Sequence, residues 1–311
     1  MYPLKKPAPK YHPNTLHFAA LRDVISAPSP TPILPSAPEK RGWEYAVPDS
    51  VWAKSMLAND QVGDCAEASF LHIRMANSAA NRTPEIFTDK DALDLYTAVT
   101  GYNPNALLID GENPTDQGTA LTDLLAYAQA KGLILGWAAV NWRDPEELNA
   151  AINAFGSVYT GIQVTASMME DFDNGKPWNG PFVGGNLGGH AVPFFGFGRL
   201  GRTCITWAKR QQVGPAFVEC FDEVYALIFP EWIESAKNNT TPSGVNLSVL
   251  QSALAAQNAQ AKLTAATAAA HTAQEWAARV NELQILPEKL QRDDYVQDRI
   301  AMLLDLANGK S

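Results

Sequence analysis

Helix-like sequence patterns crowd the first half of residues 47–229 and strand-like patterns the second, an order that excludes repeated β-α-β units. An apolar run, AEASFLHIRMANSAA, follows Cys65. The stretch ALTDLLAYAQAKG ends at Gly132, and Leu148 to Phe155 forms a further helical pattern. Strand-like SVYTGIQV comes next. HAVPFFGFG follows behind the glycine-rich loop GGNLGG, and CITWA and VYALIF complete the series. Helices followed by strands predict an α+β domain.

The flanks differ in texture. Residues 1–46 include SAPSPTPILPSAP, whose spaced prolines lack amide donors and hold the backbone extended, so this segment reads as a Pro-rich arm. Beyond residue 232, SAKNNTTPSG reads as a linker. The alanine-rich stretch from Val245 then predicts one long helix, and a second, amphipathic helix follows Pro287 and closes at Gly309. The predicted division is therefore an arm over 1–46, a domain over 47–232, and a linker with a helical tail over 233–311. Within Val245–Gln274 the only charged residue is Lys262, so a face of this helix is expected to contact protein. That partner is either this chain's own domain or, through 1–46 and 240–311, a homo-oligomer or a larger assembly.

Charge narrows the partners. The net charge is −9, with six Lys/Arg against three Asp/Glu over 1–47, 11 against 21 over 48–228, and seven against nine over 229–311. An acidic middle argues against nucleic-acid binding, which needs clustered positive charge. The basic arm suits an acidic surface, its own or a partner's. Three cysteines, Cys65, Cys204 and Cys220, without close spacing indicate neither a disulfide framework nor a thiolate zinc site. The leading residues lack the apolar stretch of a secretory signal, and no run of about 18 apolar residues is present. A cytoplasmic or virion-associated protein without a membrane span is expected.

Cys65 follows Gly63-Asp64 and precedes the first helical run. It is placed at a helix start, where a thiolate is stabilised, although a lone cysteine is ordinarily a small buried residue and its partner must decide. Among the five histidines, His12 and His17 lie in the arm, His72 in the helix after Cys65 and His271 in the tail. His190 alone opens an apolar strand behind a flexible loop.

Taken in order, VPDSVW, NDQVGDCAEASF, GTALTDLLAYAQAKGLI, LNAAINAFGSVYTGIQV, GGHAVPFFGFG and CITWA resemble the successive motifs of the papain-like cysteine peptidases. The resemblance covers residues 47–228 and excludes both flanks. It implies a two-lobed domain, a helical lobe followed by an antiparallel β lobe, acting on a peptide or protein substrate without cofactor or metal. It makes Cys65 the nucleophile and His190 the general base and acid. The oxyanion-hole glutamine of the family stands six residues before its cysteine. Here that position is Asn59, with Gln61 as the alternative. Aligning Trp207 with the family tryptophan puts Ile205 where an asparagine orients the histidine. Ile205 cannot accept an imidazole N–H, which leaves Thr206, another residue, a backbone carbonyl or nothing for that role. These departures imply a divergent bacterial or phage-type member: a thiol hydrolase of peptide or isopeptide bonds, or else a catalytically impaired structural or binding component of an assembly such as a phage particle.

Other signals point elsewhere. DFDNGKPWNG at 171–180 has its glycine one position early for a calcium loop, and Phe182 stands where the bidentate glutamate belongs. GGNLGG lacks the Lys-Ser/Thr of a phosphate-binding loop; its glycines suit loop freedom or close substrate approach. Trp207 is placed as a cover over the histidine. Asp222-Glu223 reads as a solvated turn or strand entrance, with Lys209 or Arg210 as candidate ion-pair partners.

Overall fold

Cys65 begins the first long helix, and the rest of the domain is arranged around it. The structure, a computed structural model, describes residues 2–10, 16–19, 21, 40–42, 55–80, 83–198, 201–233, 245–246, 248–252 and 255. Helix α1 (Cys65–Ala80) has 13 of its 16 residues buried, which marks it as a central helix covered on every side. Its first turn is closed by Ala68 N–H donating to the Asp64 carbonyl at 2.9 Å.

Helix α2 (Asp89–Thr100) starts with a reciprocal cap between Thr88 and Asp91 and ends at the left-handed Gly101. Helix α3 (Leu121–Ala130) follows the loop over 101–120. Helix α4 (Pro145–Phe155) begins three residues before the predicted Leu148. Asp144 caps it, and Pro145 occupies the first turn, where its missing N–H has no helical partner to lose.

The strands are β1 (Leu16–His17), β2 (Lys40–Gly42), β3 (Gly136–Ala139), β4 (Val158–Thr165), β5 (Asn186–Gly198), β6 (Gly201–Thr206), β7 (Lys209–Val213) and β8 (Phe221–Ile228). They form one sheet in the order β1-β3-β8-β4-β5-β6-β7, with β2 added to β5. Every strand pairing is antiparallel except β1 with β3. A short helix α5 (Ala166–Asp173) leaves β4, and α6 (Pro230–Ile233) follows β8. The predicted α+β order is thus observed. Aromatic side chains fill the sheet's core: Trp178 stacks on Phe217 at 5.5 Å, and Phe194 and Phe221 pack edge-on at 5.3 Å.

Two sequence expectations need correction. The segment taken as a flexible loop before His190 is strand from Asn186 onward, because its backbone pairs with β4 and glycine has no side chain to oppose that pairing. Asp222-Glu223 stands at a strand entrance, one of its two expected places, but it is not a solvated turn. Both residues lie in β8 and pair with Lys6 of the arm, at 3.2 and 2.8 Å. The segment VPDSVW, the proline-rich part of the arm, and the tail helices beyond residue 255 lie outside the described residues.

Candidate active site

The start of α1 and the first half of β5 are locked together. Ser69, one turn past Cys65, donates its hydroxyl to the Ala191 carbonyl at 2.8 Å, and Tyr159 of β4 donates to the Ala66 carbonyl at 3.0 Å. The Ala191 backbone, next to His190, lies near enough to the Cys65 side chain to pull its thiol downward. Cys65 and His190 are each only 1% exposed.

His190 is oriented from both sides. Its Nε2 lies 2.8 Å from Thr206 Oγ1, and its ring stacks on Trp207 with centroids 4.4 Å apart and planes 13° from parallel. Ile205 cannot make this hydrogen bond; Thr206, at the end of β6, does. With Nε2–H donating to Thr206, Nδ1 carries the lone pair, and among the described residues Nδ1 has no hydrogen-bond partner. His72, the other imidazole near Cys65 in sequence, points elsewhere: its Nε2 meets the Ser55 carbonyl at 3.1 Å.

The two oxyanion candidates separate. Asn59 is buried, with Nδ2 at 3.4 Å from Asp64 Oδ1, a long hydrogen bond that leaves donor capacity. Gln61 is exposed on the preceding turn. The structure therefore keeps Asn59 with Asp64, directly before Cys65, and leaves Gln61 in solvent.

Burial controls the electrostatics. Loss of hydration pushes the Cys65 thiol up to about 12, against a smaller downward pull from the Ala191 backbone, and pushes His190 down to about 3. Both are neutral in this closed arrangement. Burial also raises Asp64 to about 9 and Glu67 to about 8. Glu67 accepts from Thr119 Oγ1 at 2.7 Å, which only partly offsets its desolvation.

These two carboxyls are protonated in the folded chain at neutral pH but ionised when unfolded. Their contribution to stability is complete below the ordinary carboxyl pKa and is lost as pH rises through about 8 and 9. Stability is therefore expected to fall between pH 7 and 9. The slope should flatten in Asp64→Asn and Glu67→Gln, as read from urea midpoints across that range. An unchanged slope in both variants would refute the assignment.

Sequence reading missed the occupant of the site, which is the arm itself. Lys6 N–H donates to the Gly189 carbonyl at 3.1 Å, and Lys5 forms a parallel bridge with Gly189. Tyr2 stacks on Trp207 at 4.8 Å, on the ring that covers His190. On the helical side, Lys5 Nζ meets Asp116 Oδ2 at 3.0 Å, and Asp116 Oδ1 accepts the Gly63 amide at 2.9 Å. Gly118, at φ +71°, permits close approach, since a methyl group there would overlap the Lys5 carbonyl. Residues 4–6 thus lie between Gly63 and Gly118 on one side and Gly188 and Gly189 on the other, beside the segments that carry Cys65 and His190. The signal was the Lys5-Lys6 pair set against an acidic domain.

A helical lobe led by α1 and a β lobe, with Cys65 at the start of α1 and His190 in β5, make this a papain-like fold. Among solved structures, the chain is similar to xylellain, a cysteine protease from Xylella fastidiosa, at 12% identity and a TM-score of 0.53, covering 73% of this chain and 96% of that one. A second similar structure is digestive procathepsin L 3 of the Tenebrio molitor larval midgut, at 12% identity and a TM-score of 0.45, covering 71% of this chain and 76% of that one. No family model matches the sequence, and neither does any curated protein. Among the described residues no cluster of three metal-ligating side chains is present, and no helix is long and apolar enough to cross a membrane.

Proposed function

We propose that the chain is a papain-like thiol hydrolase of peptide or isopeptide bonds. The observation that carries this reading is His190, held through Nε2 by Thr206 and roofed by Trp207, with Nδ1 unpartnered among the described residues, on the strand whose next residue accepts from Ser69, one turn past Cys65. His190 Nδ1 takes the thiol proton as Cys65 Sγ attacks the carbonyl carbon. The Cys65 backbone N–H and Asn59 Nδ2 hold the oxyanion. His190 then gives its proton to the leaving amine as the C–N bond breaks. Water, deprotonated by His190, attacks the thioester, releasing the acid and restoring the thiol.

The acceptor that Thr206 offers to His190 Nε2–H supplies what Ile205 lacks, which favours an active enzyme over an impaired relict. Substrate enters once residues 2–6 leave the cleft. The test is cleavage of a denatured protein by the full chain carrying Tyr2→Ala and Lys6→Ala, which weaken the arm's seat, with Cys65→Ala added as control. Cleavage that depends on Cys65 is expected. No cleavage, or cleavage unaffected by Cys65→Ala, would sink the proposal.

A further inference from the structure

We infer that Asp222, Glu223 and the gap left by Gly161 form a specificity pocket for a lysine side chain of the peptide substrate; this rests on the thiol-hydrolase reading above. Lys6 reveals the pocket. Its side chain is completely buried, its ammonium lies 3.2 Å from Asp222 Oδ2 and 2.8 Å from Glu223 Oε1, and it also donates to the Pro7 carbonyl at 2.8 Å.

The carboxylates are built into the fold. Asp222 Oδ2 accepts from Gln163 Nε2 at 2.6 Å, and Glu223 Oε2 accepts from Tyr225 Oη at 2.9 Å. Gly161 provides the space. A methyl group on it would overlap Lys6 Cε and an Asp222 oxygen, and would come within 2.8 Å of Glu223 Cγ. An ammonium on a long apolar stem fits this site, whereas an uncharged side chain of equal length would leave buried Glu223 and half-buried Asp222 without this counter-ion.

Position ties the pocket to the reaction. Gly161 of β4 stands directly opposite Ala191 of β5 and Glu223 of β8, so the three share one cross-strand row and one face of the sheet. Ala191 is the residue whose carbonyl accepts from Ser69, one turn past Cys65 on α1. Two strand spacings place Glu223 about 10 Å from Ala191, the span of two to three extended residues. Lys6 reaches the pocket while its own backbone pairs with Gly189, beside His190. A peptide lying along β5 in place of the arm is thus positioned to insert a lysine within a few residues of the scissile bond.

The test uses the full chain carrying Lys6→Ala, so that the pocket is free, and peptide pools that differ only in lysine or norleucine at one position. Lysine peptides are expected to be cut with a kcat/KM roughly tenfold or more above their norleucine counterparts, as suits a charge-assisted contact. Adding Glu223→Gln or Gly161→Ala should erase that ratio while norleucine peptides are still cut. Cleavage indifferent to lysine, or a ratio that survives both variants, overturns the pocket but leaves the hydrolase standing. If no peptide is cut, the hydrolase reading fails, and the pocket is judged by calorimetry on a full chain carrying Cys65→Ala and Lys6→Ala. Lysine peptides binding about tenfold tighter than norleucine peptides support it; equal binding overturns it.

Discussion

In the full-length chain, Lys6→Ala is expected to accelerate alkylation of Cys65 by about 100-fold or more at pH 8, with Cys204 and Cys220 unchanged. The arm pairs with the strand that carries His190. Lys6 is buried against Asp222 and Glu223, and removing a single partner of such a cluster leaves uncompensated charge that costs about 3–5 kcal/mol until water returns. Water returns when residues 2–6 lift. The Cys65 thiol, held up at about 12 mainly by burial, then moves toward its ordinary value, and each unit of descent raises the thiolate fraction about tenfold. Because the thiolate is the reactive form, the rate climbs with pH up to the lowered pKa and then levels. Cys220, pushed up to about 11 by its own burial and by Glu219, does not share this change. The measurement is iodoacetamide modification followed by peptide mass spectrometry. Three thiols reacting equally slowly before and after the substitution would show that the arm does not gate Cys65.

His190→Ala in the arm-weakened chain is expected to lower kcat/KM for peptide hydrolysis by about a thousandfold or more, the scale lost when the base of a nucleophile–imidazole pair is removed. Thr206→Val is the sharper variant. It keeps the shape of the side chain but deletes the acceptor for His190 Nε2–H inside a buried site, so the imidazole loses its tautomer preference and its orientation. A fall of roughly 10- to 100-fold is expected, mostly in kcat, with Thr206→Ser retaining most activity. Trp207 remains stacked on the ring in either case, which restricts the effect to the hydrogen bond. Wild-type rates in Thr206→Val, with unfolding midpoints unchanged, would remove Thr206 from the proposed site.

Much of the architecture was legible locally. The apolar run after Cys65, the stretch ALTDLLAYAQAKG and strand-like SVYTGIQV are short-range signals, and the corresponding elements form where those signals place them, whereas α2 was not anticipated. The helix expected from Leu148 starts at Pro145, since a first-turn proline has no helical N–H bond to lose and so gives no strong start signal of its own. Asp222-Glu223 was misread as solvated for a different reason: its cation, Lys6, is 216 residues away in sequence, and no local pattern reports it.

The candidate site divides along the same line. Sequence motifs in order sufficed to single out Cys65 and His190, and to narrow the oxyanion donor to Asn59 or Gln61 and the orienting group to a short set including Thr206. Only the tertiary structure buries Asn59 and exposes Gln61, brings Thr206 onto the imidazole, and lays the arm across the cleft. By itself the sequence determined which elements form and which groups carry chemical potential, since backbone propensity and side-chain type are properties of a residue and its neighbours. The tertiary structure alone decided which groups are dry, paired or covered, because burial and ion pairing depend on residues far apart in the chain.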